Sequence, residues 1–249
     1  MTTTPTAAQF IARLDDLRRT TPPAVDGDAG GVAYRHIFAL AKELIDTAPE
    51  EIELLLDHPD HDVRLGAVSI MDFQARRRTT PPERRRELYE LYVRRHDRID
   101  TWDLVDRAAP HVVGGYLDDK PRDQLYTFAR SSSQWERRTA VVATYYFIRH
   151  DDLDDTFAIA ELLVDDPADL VQKAVGGWLR EAGKHDRHRL VAFLDRHAAT
   201  MNRTALRYAI EHFEPATRQH YMNLGPARPA KHKPGPITVT ATIPGRNEP

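Results

Sequence analysis

Apolar residues recur three and four positions apart along nearly the whole chain, a spacing that gathers side chains on one face of an α-helix. Phe10, Leu14 and Leu17 form one such stripe, and Ile37, Leu40, Ala41, Leu44 and Ile45 form another. Val63, Ala67 and Ile70 follow, then Leu88, Leu91 and Tyr92. Helix starts are marked too. Pro81-Pro82-Glu83 and Pro167-Ala168-Asp169 put proline and acid where a first turn tolerates a missing N–H and favours negative charge. No convincing strand and no two-residue hairpin turn precedes residue 225. The pattern predicts an all-α fold.

The helices also repeat. An alanine preceded by charge and followed by an apolar or small residue stands at Ala67, Ala108, Ala140, Ala174 and Ala205. The spacings are 41, 32, 34 and 31 residues, the length of a two-helix solenoid unit. Several of these helices open from an acidic lead such as His58-Pro-Asp-His-Asp62 or Asp165-Asp-Pro-Ala-Asp169. A small residue at a fixed place on each second helix is what close stacking of successive pairs requires. The expectation is an α-α superhelix, a HEAT-like repeat solenoid, forming a single domain over residues 1–224. Residues 20–31 form a Pro/Gly loop, and residues 225–249 a Pro-rich, mildly basic tail expected to be flexible. Within that tail the Thr-alternating residues 237–243 have strand character but no strand to pair with.

Composition narrows the chemistry. The chain has 249 residues, 35 Lys plus Arg, 38 Asp plus Glu, a net charge of −3 and no cysteine. The last fact removes disulfides, thiolate nucleophiles and cysteine-ligated metals. It also leans towards a reducing, cytoplasmic setting, as does the absence of a secretion signal after Met1. The longest apolar stretch, residues 140–148, is far short of the roughly 20 residues that span a bilayer, so no membrane partner is expected. Arginine outnumbers lysine 29 to 6. Coding bias and guanidinium recognition of phosphate or carboxylate both fit that ratio.

A net charge of −3 argues against nucleic acid only until the charge is resolved along the chain. Residues 43–62 and 151–169 each carry eight acids and no Lys or Arg. Residues 76–98 carry nine Arg against four acids, and residues 173–207 eight bases against three acids, each a balance of +5. The acidic runs fall mostly on first helices of the pairs. Second helices carry Arg64, Arg137, Arg138, Lys173, Arg180, Arg203 and Arg207. The pattern suggests an acidic convex side and a basic concave face suited to a nucleic-acid backbone.

The most unusual segment is Asp100-Thr-Trp-Asp-Leu-Val-Asp106. Asp100 or Thr101 can cap a helix in which Asp103 suits the first turn. Trp102 and Asp106, four apart, meet on one helix face. An aromatic ring beside a carboxylate suits a cationic substrate. The plainer alternative makes Trp102 a core residue and Asp106 an ion-pair partner of Arg137 or Arg138. Spacing alone leaves both open.

Trp102-Asp-Leu-Val-Asp106, followed by Trp135-Glu-Arg-Arg-Thr-Ala140 and Val171-Gln-Lys-Ala-Val-Gly-Gly-Trp-Leu-Arg-Glu181, resembles the bacterial DNA alkylation repair family of the AlkD type. The resemblance spans about residues 30–222. It implies a HEAT-like solenoid holding duplex DNA on a basic concave surface. It further implies a monofunctional glycosylase that releases N3- and N7-alkylated purines without flipping the base and without a cofactor. On this resemblance Asp106 matches the catalytic aspartate, Trp102 the aromatic against the lesion, and Arg138 the arginine beside the active-site backbone. Lys173 and Arg180 match positions near the phosphates, and Arg137, Trp178 and Arg207 join the expected DNA-binding set.

There is one departure. The second lesion-contacting tryptophan of the family falls at Gly177, with Trp178 one residue later. A one-residue shift turns a helical side chain by about 100°. This leaves an alternative function, a non-catalytic HEAT-like module binding DNA structure or a protein. No obligatory protein partner is visible. His58/His61 and His185/His188 have metal-like spacing but no third ligand, so no metal is expected.

Overall fold

The computed structural model describes residues 4–21 and 31–224, and every regular element in them is helical. In chain order they are α1 (Ala7–Thr20), α2 (Tyr34–Glu43), α3 (Pro49–Asp57), α4 (His61–Arg76) and α5 (Pro82–Arg94). After a 3-10 turn (His96–Arg98) come α6 (Trp102–Ala108), a π-helical turn (Ala109–Gly114) and α7 (Gly115–Leu117). Then follow α8 (Asp123–Ala129), α9 (Gln134–Ala143), α10 (Tyr145–Ile148), α11 (Asp154–Leu162) and α12 (Asp169–His185). The last are α13 (Arg187–His197), α14 (Arg203–Ala209) and α15 (Pro215–Asn223). The expected tail, the strand-like residues 237–243 and most of the Pro/Gly loop lie outside the described residues.

The second helices of the pairs stack in order: α2 on α4, α4 on α6, α6 on α9, α9 on α12, α12 on α14. The repeating alanines fall one to a helix on α4, α6, α9, α12 and α14, and each is buried. The first helices form the other layer, with α1 on α3, α3 on α5 and α8 on α11. This is an α-α superhelix, and its one continuous core lies between the layers.

Arginines lock the repeats together. Three residues before the repeating alanine, Arg64 donates to the loop carbonyls of His58 and Pro59 and reaches Asp100 of the next repeat at 3.0 Å. Arg137 holds the same place on α9. It donates to Ser131 O and Ser132 O, and to Asp166 of the following repeat. The acidic runs are largely the counter-charge of neighbouring helices. Glu53 pairs with Arg94 and Arg95, Asp57 with Arg95, and Asp152 and Asp155 with Arg122. Mutual pairing thus explains much of the acid clustering that the sequence suggests as a bare acidic face.

Of two adjacent glycines on α12, the first marks where the stack is tight. A Cβ on Gly176 would stand 2.3 Å from Ala205 O and 2.6 Å from Tyr208 Cβ, so α14 closes directly onto it. A Cβ on Gly177 would meet nothing within 4 Å. Gly176→Ala is therefore expected to cost about 1–3 kcal/mol by overpacking. Gly177→Ala is expected to be neutral or stabilising by up to about 1 kcal/mol through helix propensity. Thermal melts of the two variants check this; equal melting temperatures would contradict the packing described.

Candidate nucleic-acid interface on the second-helix layer

The Trp-Asp element opens α6. Thr101 is the residue before the first turn, but its hydroxyl does not cap the helix backbone; it donates to Asp103 Oδ1 at 2.6 Å. Asp103 is buried and accepts further from Tyr34 Oη at 2.7 Å, with His61 Nε2 3.0 Å from its Oδ2. Residues from α2 and α4 thereby anchor the first turn of α6. Burial works to raise the Asp103 pKa, but the hydrogen bonds from His61, Thr101 and Tyr34 outweigh it and hold the carboxyl far below its ordinary value. His61 responds in the opposite direction. Its hydrogen bond to Asp103 and the Asp62 carboxylate 3.8 Å from Nδ1 push it up to about 9.

Trp102 is 49% exposed, so it is not a core residue. It is the exposed member of the chain's three tryptophans. One turn on, Asp106 receives Arg138 Nε on Oδ1 at 2.9 Å and Nη2 on Oδ2 at 2.8 Å. The third guanidinium nitrogen donates to Leu170 O at the start of α12. The ion pair read from spacing therefore exists, with Arg138 rather than Arg137 as the partner. The carboxylate keeps 30% of its side chain accessible while Arg138 keeps 7%. Burial pushes the Asp106 carboxyl above its ordinary value, and Arg138 only partly offsets this. A fixed, half-desolvated carboxylate beside an exposed indole can stabilise a positive charge arriving from solvent.

Pro110 sits four residues after Asp106. Lacking an N–H, it cannot donate to the Asp106 carbonyl, and the helix passes into the π-turn at that point. Asp106 thus lies at the end of regular α geometry in its segment.

The remaining expected residues divide. Lys173 is accessible and pairs with Asp169 at 2.8 Å, and Arg207 is exposed beside Thr204. Arg180 is held by Glu211 and Glu181. Arg137 is held in the repeat lock. Trp178 is partly buried, donates Nε1–H to Val142 O at 3.1 Å and lies 5.7 Å from the Tyr145 ring. It fastens α12 to the end of α9, whereas the position of Gly177 is open. The Asp103–His61–Tyr34 network goes beyond the sequence reading. Its one visible signal is the acid in the first turn of α6, since its partners stand 42 and 69 residues away. Among the described residues no cluster of metal-ligating side chains occurs, and no helix is long and apolar enough to cross a membrane.

The network makes stability depend on pH with a definite sign. The folded-state pKa of His61 lies above its ordinary 6.5, so its contribution is complete below that value and is lost as the pH rises towards about 9. The groups facing it are Asp62, Asp103, Thr101 and Tyr34. His61→Asn should melt below the native chain near about pH 6, and the gap should shrink near about pH 10. A gap independent of pH would contradict the ion pair.

Comparisons with known proteins agree with this architecture. A family model described as DNA alkylation repair enzyme matches residues 18–213. No curated protein sequence matches the chain. Among solved structures, one titled as a predicted DNA alkylation repair enzyme from Enterococcus faecalis is similar, with a TM-score of 0.58 and 16% identity over 84% of this chain and 95% of that one. AlkD2 from Streptococcus mutans is similar with a TM-score of 0.57 and 14% identity, over 83% and 99% of the two chains.

Proposed function

The chain belongs to the DNA alkylation repair enzyme family, and on that premise we propose that it is a monofunctional DNA glycosylase releasing N3- and N7-alkylated purines from duplex DNA. The observation that carries the reading is the Asp106 carboxylate, gripped by Arg138 and set one helical turn from the exposed Trp102. Alkylation at N3 or N7 gives the purine a formal positive charge, so the base leaves neutral when it takes the N-glycosidic bonding pair. Positive charge passes to the sugar, and a carboxylate already oriented and partly dehydrated stabilises it without reorganising. Water adds to the sugar carbon and gives up a proton to complete hydrolysis. Trp102 offers a π-face to the cationic base. Extrusion of the base is not required, because the carboxylate and the indole both lie on the open helix layer. Lys173 and Arg207 suit backbone phosphates, and the duplex is the partner this arrangement calls for.

A second reading, a non-catalytic module that binds DNA structure or a protein, is favoured by two observations. Arg138 occupies both oxygens of Asp106, and Gly177 stands where the family it resembles carries a second lesion-contacting tryptophan. Release of free 7-methylguanine or 3-methyladenine from alkylated duplex DNA separates the two. The glycosylase reading expects Asp106→Asn to lower the single-turnover rate by about 10²–10³-fold. Native activity should also fall on acidification at a pH above the ordinary aspartate value, since burial raises the Asp106 pKa. Salt-sensitive binding with no base released above the Asp106→Asn level would sink the glycosylase reading.

A further inference from the structure

The π-turn after Asp106 carries a second polar arrangement, on the side of α4 and α5. His111 Nδ1 stands 2.9 Å from Asp72 Oδ1. Asp72 is 1% exposed, and its Oδ2 faces Arg107 Nη1 at 2.9 Å and Arg76 Nη1 at 3.3 Å. Two guanidinium groups and an imidazole thus surround one buried carboxylate. His111 Nε2 is left without a partner among the described residues.

His111 lines a cleft of about 350 Å³ with Arg76, Arg85, Tyr116 and Tyr146, and no carboxylate lines it. Arg85 donates Nε to Ala75 O at 3.2 Å and Nη2 to Arg77 O at 3.0 Å, satisfying the end of α4 and keeping Nη1 unused. Arg76 is half exposed and keeps two of its three nitrogens unpaired. The hydroxyls of Tyr116 and Tyr146 have no hydrogen-bond partner among the described residues. Burial, and then Asp118, push the Tyr146 pKa up, which keeps that hydroxyl protonated. Arg76, Arg85, Tyr116 and Tyr146 therefore each retain a free donor on the cleft.

The rings themselves are engaged. Tyr116 stacks on Tyr89 with centroids 4.4 Å apart, and Tyr146 lies 4.6 Å from the ring of His150. The cleft is consequently built to donate hydrogen bonds rather than to stack a base. The neighbouring cleft beyond Tyr116 differs, since Glu83, Asp118 and Asp119 line it and would repel an anion.

We propose that the His111 cleft is a phosphate-binding site. Converging guanidinium and phenol donors beside His111, with Asp72 buried behind them and no carboxylate in the lining itself, match the acceptor oxygens and charge of a phosphate. The phosphate has two possible sources: a free phosphate or nucleoside monophosphate, or a backbone phosphate of duplex DNA. The second is considered because His111 lies five residues beyond Asp106 in the same helical segment. The site stands whether or not Asp106 is catalytic.

The test titrates the full chain with inorganic phosphate, and then with a deoxynucleoside 5′-monophosphate, at constant pH and ionic strength. The histidine ring protons are followed by NMR. The site predicts a saturable shift of one histidine resonance, the one missing in His111→Gln, with affinity about tenfold weaker in Arg76→Ala. Arg76→Ala leaves Asp72 its Arg107 partner, and a melt confirms that it folds. In the second arm, binding of unmodified duplex is measured against salt. A slope smaller by about one in Arg76→Ala assigns the site to the DNA backbone; an unchanged slope with phosphate still bound assigns it to a free ligand. A shift of all histidines together, no saturation, or native phosphate affinity in Arg76→Ala overturns the proposal.

Discussion

Arg138 joins three successive second helices through one side chain. From α9 it grips both oxygens of Asp106 on α6 and donates to the first turn of α12. At 7% exposure the guanidinium is nearly dry, and a buried charge of that kind is tolerable only with its partners in place. Packing of the superhelix and orientation of the Asp106 carboxylate are therefore the same interaction. That coupling carries a tension. The grip that fixes the carboxylate also draws off part of its negative field. Burial tips the balance, keeping the Asp106 pKa raised despite the arginine.

A charged chain can build a solenoid because its charges are counter-posed between repeats. Arg64 to Asp100 and Arg137 to Asp166 repeat one geometry, each arginine closing its own loop and reaching into the next. The acidic stretches that look like a separate face supply partners for α5, for Arg122 and for the loops. Exposed pairs of this kind contribute little each, about 0–1 kcal/mol. The buried ends, such as Asp166 at 7% exposure, fix which repeat follows which. Trp102 on α6, Lys173 on α12 and Arg207 on α14 remain accessible on the second-helix layer.

Local periodicity made the architecture legible. The alanines at 67, 108, 140, 174 and 205 can be found by spacing alone, and they fall on the helices that stack consecutively. The Trp102–Asp106 pair was equally readable, because a four-residue separation on a helix is a geometric statement. Contacts between distant segments were not. Nothing local says that Asp103 is held by His61 and Tyr34, or that of two neighbouring arginines Arg138 takes Asp106 while Arg137 takes Asp166. The one-residue offset at Gly177 and Trp178 was visible, and its structural content is that Trp178 satisfies the Val142 carbonyl. The cleft at His111 depends on the π-turn, whose sequence cause is a single proline.

In the proposed reaction Asp106 and Arg138 act as one unit. A double-mutant cycle of Asp106→Asn and Arg138→Ala, read as single-turnover release of 7-methylguanine from duplex DNA, measures that coupling. Groups that act as a unit are non-additive, so the double variant should be no slower than Asp106→Asn alone. The claim is contradicted if Arg138→Ala slows the Asp106→Asn protein by the same factor as the native one, or if the native chain releases no base.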